Sequence, residues 1–317
     1  MKCAIIYFSL TGNTEKVALA IQKGVQQVSG KCDLVKMQEA NPRALKHYDL
    51  IGLGSPVIGL EIIGTEPPNF RAFINSLLFV GGKHAFVFCT HGTHSEMFFP
   101  RVIRSLKRRG ITVIGTGDWY GSVYLSAMPK PYPTDGHPDS LDLKEAEEFG
   151  RQMAERYQRI SSGESGLIPP IPKLPVPVAS PKIEGEPSME DHTFTEMVKY
   201  NKGKCKYPRC QLCMDNCPMD GIDLTMQPPV IAKPCVCCDF CVKICPTGAL
   251  DAFDYNEFAA PILARELKRV LMSDLARAAA EGHYRPLVQL DRVGTGLPLY
   301  KSYTRHPQWI IGKGLVE

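Results

Sequence analysis

Continuous apolar runs alternate with amphipathic stretches along residues 1–160. Runs such as Ala4-Ile5-Ile6-Tyr7-Phe8 do not alternate polar and apolar positions, which is typical of strands covered by helices on both faces. The predicted strands are Lys2–Phe8, Asp33–Met37, Asp49–Gly54, Ala85–Thr90 and Thr112–Gly117. The predicted helices are Asn13–Val28, Asn69–Leu78, Glu96–Arg109 and Leu143–Ile160. Repeated strand–helix units indicate an α/β fold with a doubly wound parallel sheet.

The composition changes after residue 160. Prolines crowd residues 161–190, and because proline disfavours both helix and strand, this segment is predicted to be an extended linker. About twenty such residues at ~3.1 Å each would span on the order of 60 Å. We therefore predict a first domain over residues 1–160, the linker over 161–190 and a cysteine-rich domain over 191–253. Residues 254–317 are predicted to form a helical and irregular extension, with a helix around Ala264–Glu281.

Charge and hydropathy exclude several classes of protein. The net charge of +4 on 317 residues is small for a nucleic-acid binder, whose basic residues gather into a strong patch. The apolar run after Lys2 is too short for a signal peptide, and no run approaches the ~18 residues of a membrane span. We expect a cytoplasmic protein without a membrane span.

Cysteines are concentrated in one short region. Of the twelve, nine lie between Cys205 and Cys245, whereas a disulfide framework would spread through a small secreted domain. Dense thiols in a reducing compartment indicate metal. Cys3, Cys32 and Cys89 are scattered through apolar segments and are expected in the core.

Two cysteine quartets give the strongest chemical signal in the chain. The second reads Cys235-x2-Cys238-x2-Cys241-x3-Cys245-Pro246, and the first reads Cys205-x4-Cys210-x2-Cys213-x3-Cys217-Pro218. Closely spaced thiolates reach three corners of one cubane, and the cysteine before proline ligates the other cluster. The predicted ligands are Cys205, Cys210, Cys213 and Cys245 for cluster one, and Cys235, Cys238, Cys241 and Cys217 for cluster two. The alternative is a pair of zinc sites, since Cys-x2-Cys also suits tetrahedral zinc.

The region from Cys205 to Phe253 resembles the bacterial two-[4Fe–4S] ferredoxin family, which implies a small α+β iron–sulfur domain. The second quartet matches closely. The first departs from the pattern, because Cys-x4-Cys replaces Cys-x2-Cys and Pro208 lies in the longer gap. A two-residue bulge would still bring Cys205 to its iron. The additional Cys237 is interpreted as a neighbour of the cluster, although it could compete as a ligand.

A second candidate site lies in the N-terminal half. The first predicted strand runs into Ser9-Leu10-Thr11-Gly12-Asn13-Thr14, where a helix begins. Hydroxyl groups and free N–H groups at a helix N-terminus form a cradle for a phosphate, and a glycine allows close approach. The alternative interpretation of Thr11, Gly12, Asn13 and Thr14 is a helix cap.

Two further loops follow predicted strands. One reads Ser55-Pro56-Val57-Ile58-Gly59 and the other Thr90-His91-Gly92. In an open parallel sheet, such strand ends meet at the crevice where ligands bind, so these loops are predicted to hold a flat ring.

Residues 5–14 match the FMN-phosphate signature of the flavodoxin family, and the resemblance covers about residues 1–160. It implies FMN and a five-stranded sheet in the order 2-1-3-4-5. Many flavodoxins enclose the ring between aromatic side chains, whereas the loops here offer Val57, Ile58 and His91, which implies a less enclosed ring. The alternative is a flavodoxin-like fold that holds no flavin.

The order of the two domains resembles the flavodoxin–ferredoxin fusion proteins of anaerobes, of the EFR type. This implies electron transfer between FMN and two [4Fe–4S] clusters, with redox proteins as donor and acceptor. The chain would act as a carrier or as a subunit of a larger complex, and the linker's reach is compatible with a homodimer. The alternatives are a self-standing FMN-dependent NAD(P)H or quinone oxidoreductase and a redox-sensing module. No catalytic residue is assigned.

Overall fold

The computed structural model describes residues 1–58, 66–78, 80–93, 95, 97–123, 130–173, 198–226, 229–231, 235–236, 238–252 and 272–295. The chain divides into two compact units: Met1–Gly121 with Gly136–Ser180, and Ser122–Asp135 with Pro181–Glu317. Most of the predicted linker, together with Gly59, Cys237 and the first part of the predicted helix around Ala264–Glu281, lies outside the described residues. The domain limits at residues 160, 190 and 253 stay predictions.

The first unit contains a five-stranded parallel sheet. Its strands are β1 (Cys3–Tyr7), β2 (Cys32–Lys36), β3 (Leu50–Pro56), β4 (His84–His91) and β5 (Thr112–Tyr120). The strand order is β2-β1-β3-β4-β5, and every neighbouring pair is parallel. The predicted order 2-1-3-4-5 and the flavodoxin-like fold are therefore confirmed.

Four helices cover this sheet. They are α1 (Asn13–Ser29), α2 (Pro68–Ser76), α3 (Phe98–Lys107) and α4 (Ser140–Ser161). Gly30 ends α1 in the left-handed conformation, which costs glycine little because it lacks a Cβ. Asp139 starts α4 with a capping box, since its side chain accepts hydrogen bonds from the N–H groups of Leu141 and Asp142.

The crossover rule explains how the helices are distributed between the two faces. The chain moves from β1 to β2 in one direction and from β3 through β4 to β5 in the other. Right-handed connections therefore place α1 on one face, and α2 and α3 on the opposite face. On the α1 face, Ile5, Phe86 and Ile114 pack with residues of α1 and α4 in one buried cluster. Burying an isoleucine such as Ile5 contributes about 1.5–3 kcal/mol.

Strand β5 is longer than predicted. The prediction ended it at Gly117, but the strand continues through Trp119 and Tyr120 and pairs with β4 as far as His91. The prediction was wrong because Asp118 has low strand propensity, while the ladder with β4 stabilises it. Trp119 is buried in the α1–α4 cluster.

The second unit has short antiparallel pairs. Strand β6 (Val198–Tyr200) pairs with β9 (Leu250–Ala252), and β7 (Ile222–Asp223) pairs with β8 (Val230–Ile231). Two short helices carry cysteines, α5 (Leu212–Asp215) and α6 (Phe240–Ile244). A further helix, α7, spans Met272–Ala280.

A segment between β5 and α4 folds with this second unit. The hydroxyl of Tyr284 donates to the carbonyl of Pro133, and the N–H of Gly294 donates to the carbonyl of Pro131 at 3.0 Å. Tyr132 and Tyr284 are both buried. The C-terminal extension therefore contributes to the core of its unit, a question that the sequence left open.

Among the described residues, no helix combines the length and the apolar character needed to cross a membrane.

Helices α1 and α4 pack against each other at two glycines. A Cβ on Gly24 would lie 1.7 Å from the carbonyl oxygen of Glu147, and one on Gly150 would lie 2.2 Å from that of Ile21. Both obstacles are backbone atoms, so a side chain at either position would force the helices apart.

We expect Gly24→Ala to destabilise the protein by about 1–3 kcal/mol, because the overpacking outweighs the gain of ~1 kcal/mol in helix propensity. The measurement is urea unfolding followed by circular dichroism. Gly166→Ala is the control, since a Cβ there meets no described atom within 4 Å. Equal stability of the two variants would show that α1 and α4 are not packed at Gly24.

Candidate functional site

The loop between β1 and α1 has a defined conformation. The Oγ of Ser9 accepts hydrogen bonds from the N–H groups of Gly12, at 3.1 Å, and Glu15, at 3.4 Å. Gly12 is the N-cap of α1 with φ 95° and makes no side-chain cap hydrogen bond. This left-handed backbone favours glycine. The loop therefore leads directly to the N-terminus of a 17-residue helix, where N–H groups and the helix dipole favour an anion.

Three predicted loops meet at the carboxyl edge of the sheet. The hydroxyl groups of Thr14 and Thr90 are hydrogen-bonded at 2.7 Å, and both residues are buried. The N–H of Val57 donates to the carbonyl of Thr90 at 2.8 Å. The structure therefore brings three loops together. The first contains Thr11, Gly12, Asn13 and Thr14; the second contains Ser55, Pro56, Val57 and Ile58; and the third contains Thr90, His91 and Gly92.

At the same edge, Gly121 lies close to the side chain of Asn13. A Cβ on Gly121, which follows β5, would lie 3.0 Å from the Nδ2 of Asn13. The absence of a side chain at Gly121 thus leaves room for Asn13 at the start of α1.

His91 has a more specific environment than a polar loop residue would have. It is the last residue of β4 and is buried, and its Nε2 lies 2.9 Å from the Oδ2 of Asp118. Ser95 donates to the same oxygen at 2.9 Å, and the ring of Tyr120 lies 4.7 Å away, centroid to centroid. The Nδ1 of His91 is buried without a hydrogen-bond partner among the described residues.

Sequence reasoning missed this group. Asp118 was not a candidate, because the contact joins residues 27 positions apart and depends on the unexpected length of β5. The sequence signal that could have indicated this site is the carboxylate of Asp118 next to two aromatic residues, Trp119 and Tyr120.

The second unit brings cysteines of both quartets together. One pocket is lined by Cys205, Cys210 and Cys213 of the first quartet and by Cys245 of the second. These are the four residues predicted for cluster one. Apolar side chains, among them Leu212, Leu224 and Leu250, form much of its remaining wall.

Electrostatic effects identify the same neighbours. Burial raises the pKa of Cys213 to about 12, and Cys245, Cys210 and Cys205 act in the same direction. Burial likewise raises the pKa of Cys238 to about 12, with Asp239, Cys217 and Cys235 adding to the effect. Burial also raises the pKa of Cys241 well above its usual range, and the thiols of Cys238 and Cys235 contribute.

The two cysteines that precede proline have similar surroundings. The Sγ of Cys217 accepts a hydrogen bond from the N–H of Gly221, and the Sγ of Cys245 accepts one from the N–H of Ala249, both at 3.2 Å. Asp220, between Cys217 and Gly221, has φ 51°, and Gly248, between Cys245 and Ala249, has φ 66°, so both turns contain a left-handed residue at the same position. Each sulfur is thus placed by the same five-residue turn.

The pKa values of these two cysteines differ. Burial acts to raise the pKa of Cys245, but the N–H groups of Leu250, Thr247 and Ala249 and the hydroxyl of Thr247 more than offset it and lower the pKa. The pKa of Cys217 is raised by burial, which the N–H groups of Gly221 and Met219 oppose. The side chain of Thr247 thus contributes a hydrogen bond to Cys245, whereas the groups that act on the pKa of Cys217 include no side-chain hydrogen bond.

These surroundings fit a cationic cluster. A thiol whose pKa is raised stays protonated at neutral pH unless a metal takes the place of the proton. Four cysteines around one largely apolar pocket are a ligand set of the kind that iron–sulfur clusters take. No group of three or more His, Cys, Asp or Glu side chains in the described part of the chain is arranged to hold a single metal ion.

The N-terminal half of the chain is similar to flavodoxins. The family model described as Flavodoxin matches residues 5–130. The flavodoxin of Clostridium beijerinckii is 25% identical over 151 residues, which cover 47% of this chain and 97% of that protein. The structure of an archaeal flavodoxin aligns with a TM-score of 0.39 and 21% identity, over 50% of this chain and 99% of that one.

The other half matches ferredoxins. The ferredoxin of Methanothermococcus thermolithotrophicus is 41% identical over 55 residues, which cover 17% of this chain and 92% of that protein. A ferredoxin of Methanocaldococcus jannaschii is 40% identical over 48 residues, which cover 14% of this chain and 77% of that protein. The chain therefore belongs to the ferredoxin family through this short segment, and its N-terminal half is a flavodoxin-like electron-transfer domain.

Proposed function

We propose that the chain passes electrons between FMN and two [4Fe–4S] clusters, as a carrier or as a subunit of a larger anaerobic redox complex. The observation that carries this proposal is the cavity that four cysteines share. Three of them come from the first quartet and Cys245 comes from the second. This crossed arrangement is the ligand pattern of a two-cluster ferredoxin.

Cys205 belongs to this proposed ligand set despite its unusual spacing. It lies on the same cavity as Cys210 and Cys213, although four residues separate it from Cys210. Within the longer gap, the N–H of Cys210 donates to the carbonyl of Lys206 at 3.2 Å. This turn shortens the path between the two cysteines, which supports Cys205 as the fourth ligand.

The proposed second cluster takes Cys217 together with Cys235, Cys238 and Cys241. Support comes from the mutual effects of these thiols, since Cys217 and Cys235 both raise the pKa of Cys238. In addition, the Sγ of Cys217 accepts the N–H of Gly221. A thiolate that accepts such a bond is held in position for iron.

The proposed FMN site is the carboxyl edge of the parallel sheet. The start of α1 would hold the phosphate, because its N–H groups and dipole favour an anion. The loops at Ser55–Ile58 and Thr90–Gly92 would hold the ring. His91 offers a buried Nδ1 to a hydrogen-bonding group of the ligand, and Asp118 fixes its imidazole from the other side.

The division of labour follows from the cofactors. FMN supplies exchange of one or two electrons, and each cluster supplies exchange of one. The chain's own residues set the positions of these groups and the charge around them. The proposed donor and acceptor are redox proteins.

Anaerobic purification with iron, sulfide and flavin measured on one sample tests this function. We expect about eight irons, about eight sulfides and one FMN per chain, because each cubane has four irons. Zinc in place of iron would overturn the cluster proposal. Eight irons without flavin, even after reconstitution with FMN, would overturn the proposed FMN role.

The cluster-one ligands predict matched losses in cysteine variants. Cys205→Ala and Cys210→Ala should each lower iron by about one to four per chain and alter the electron paramagnetic resonance (EPR) signal of the same reduced cluster. Cys89→Ala is the control, because Cys89 is buried in β4 and belongs to neither quartet. Full iron content and unchanged signals in Cys205→Ala would show that Cys205 is not a ligand.

The backbone at Gly12 predicts a specific loss of flavin affinity. In Gly12→Ala, left-handed strain of about 1–2 kcal/mol should displace the loop and weaken FMN binding about tenfold, as measured by fluorescence titration. Gly163→Ala is the matched control, since Gly163 also has positive φ, 110°, but lies after α4. Both variants should lose similar stability, whereas equal FMN affinities would contradict the proposed phosphate cradle.

A further inference from the structure

The second unit contains an internal repeat around its two Cys-Pro sequences. Cys217-Pro218-Met219-Asp220-Gly221 corresponds position by position to Cys245-Pro246-Thr247-Gly248-Ala249. The third position after each cysteine is left-handed, and the fourth donates its N–H to the cysteine sulfur at 3.2 Å. The two ligand turns are therefore nearly equal in backbone.

One side chain breaks this equality. The Oγ1 of Thr247 lies 3.7 Å from the Sγ of Cys245, a separation compatible with a hydrogen bond to sulfur. The corresponding residue in the first half is Met219, which has no polar hydrogen and is buried in the core. As a thiolate ligand Cys245 can only accept, so the Thr247 hydroxyl is then the donor, one that the repeat does not supply to Cys217.

We propose that the Thr247 hydroxyl raises the reduction potential of the cluster bound by Cys205, Cys210, Cys213 and Cys245 above that of the other cluster. A single electron on the two clusters then resides mainly on this one. This inference rests on the proposed function. Thr247 acts through Cys245 and is a positioning residue.

The physical reason is charge. Reduction adds one electron to a cluster and increases the negative charge on its sulfur ligands. A donor that points at a ligand sulfur stabilises the reduced form more than the oxidised form, so the potential rises. The N–H groups of Gly221 and Ala249 act equivalently on their own sulfurs, whereas the Thr247 hydroxyl, like the N–H of Leu250, acts on Cys245.

The crossed ligand pattern decides which cluster Thr247 acts on, and this is not the cluster of its own quartet. Thr247 belongs to the second quartet, whose other cysteines bind cluster two. Cys245, however, lies on the cavity of the first quartet. A substitution at Thr247 should therefore act on the cluster held mainly by the other half of the repeat.

The test is an anaerobic redox titration of the full chain, with both clusters followed by EPR spectroscopy. Thr247→Val keeps the shape of the side chain and removes the hydroxyl. We expect the reduced-to-oxidised ratio of the higher-potential cluster to fall about three- to tenfold at a fixed potential. At 59 mV per tenfold change for one electron, this is a shift of about 30–60 mV to lower potential. The other midpoint should stay unchanged.

Two variants serve as controls. Thr247→Ser retains the hydroxyl and should restore the higher midpoint toward its wild-type value. Met219→Leu occupies the equivalent position and introduces no donor, so both midpoints should stay unchanged. Measuring iron beside each titration ensures that both clusters are present.

Several outcomes would overturn the inference. They are coincident midpoints in the wild-type chain, a shift of the lower midpoint, equal shifts of both midpoints, or no shift in Thr247→Val at full iron content. The last result would leave the two-cluster function intact. A wild-type chain without about eight irons would instead overturn the function on which the inference rests.

Discussion

The hydrogen bonds between parallel strands decide where the first unit can hold a ligand. Because β1, β3, β4 and β5 run in one direction, their carboxyl ends meet at one edge, and the loops that leave them have to share it. The contact between Thr14 and Thr90 and the pairing of His91 with Asp118 both follow from this direction. An antiparallel sheet would distribute the same residues between two edges.

In the second unit, the limited reach of a cysteine loop has a comparable effect. A Cys-x2-Cys-x2-Cys loop supplies three corners of a cubane, and the fourth ligand has to come from elsewhere in the chain. The two quartets therefore depend on each other, because Cys245 completes the cavity of the first. Binding and folding are coupled in such an arrangement, since the loops have few strands to stabilise them.

Sequence patterns predicted the first unit well where hydrophobic runs are long. The strand order came from the flavodoxin resemblance, and the helices came from periodicity. The prediction failed at the end of β5, because Asp118 resembles a loop residue locally and is held in the strand by pairing with β4. The hydrogen bond of His91 with Asp118 and that of Tyr284 to Pro133 could not be predicted either, since they join distant positions. For the cysteines, spacing gave the candidates, but the surroundings of each sulfur depend on turns that only the folded chain shows.

The second unit is interrupted in sequence, because Ser122–Asp135 belongs to it although this segment lies between β5 and α4. The backbone consequently passes between the units three times, at Gly121–Ser122, Asp135–Gly136 and Ser180–Pro181. A protease that cut only the proline-rich stretch would leave a piece of the iron–sulfur unit attached to the N-terminal fragment. The two units are thus interlaced in their covalent order.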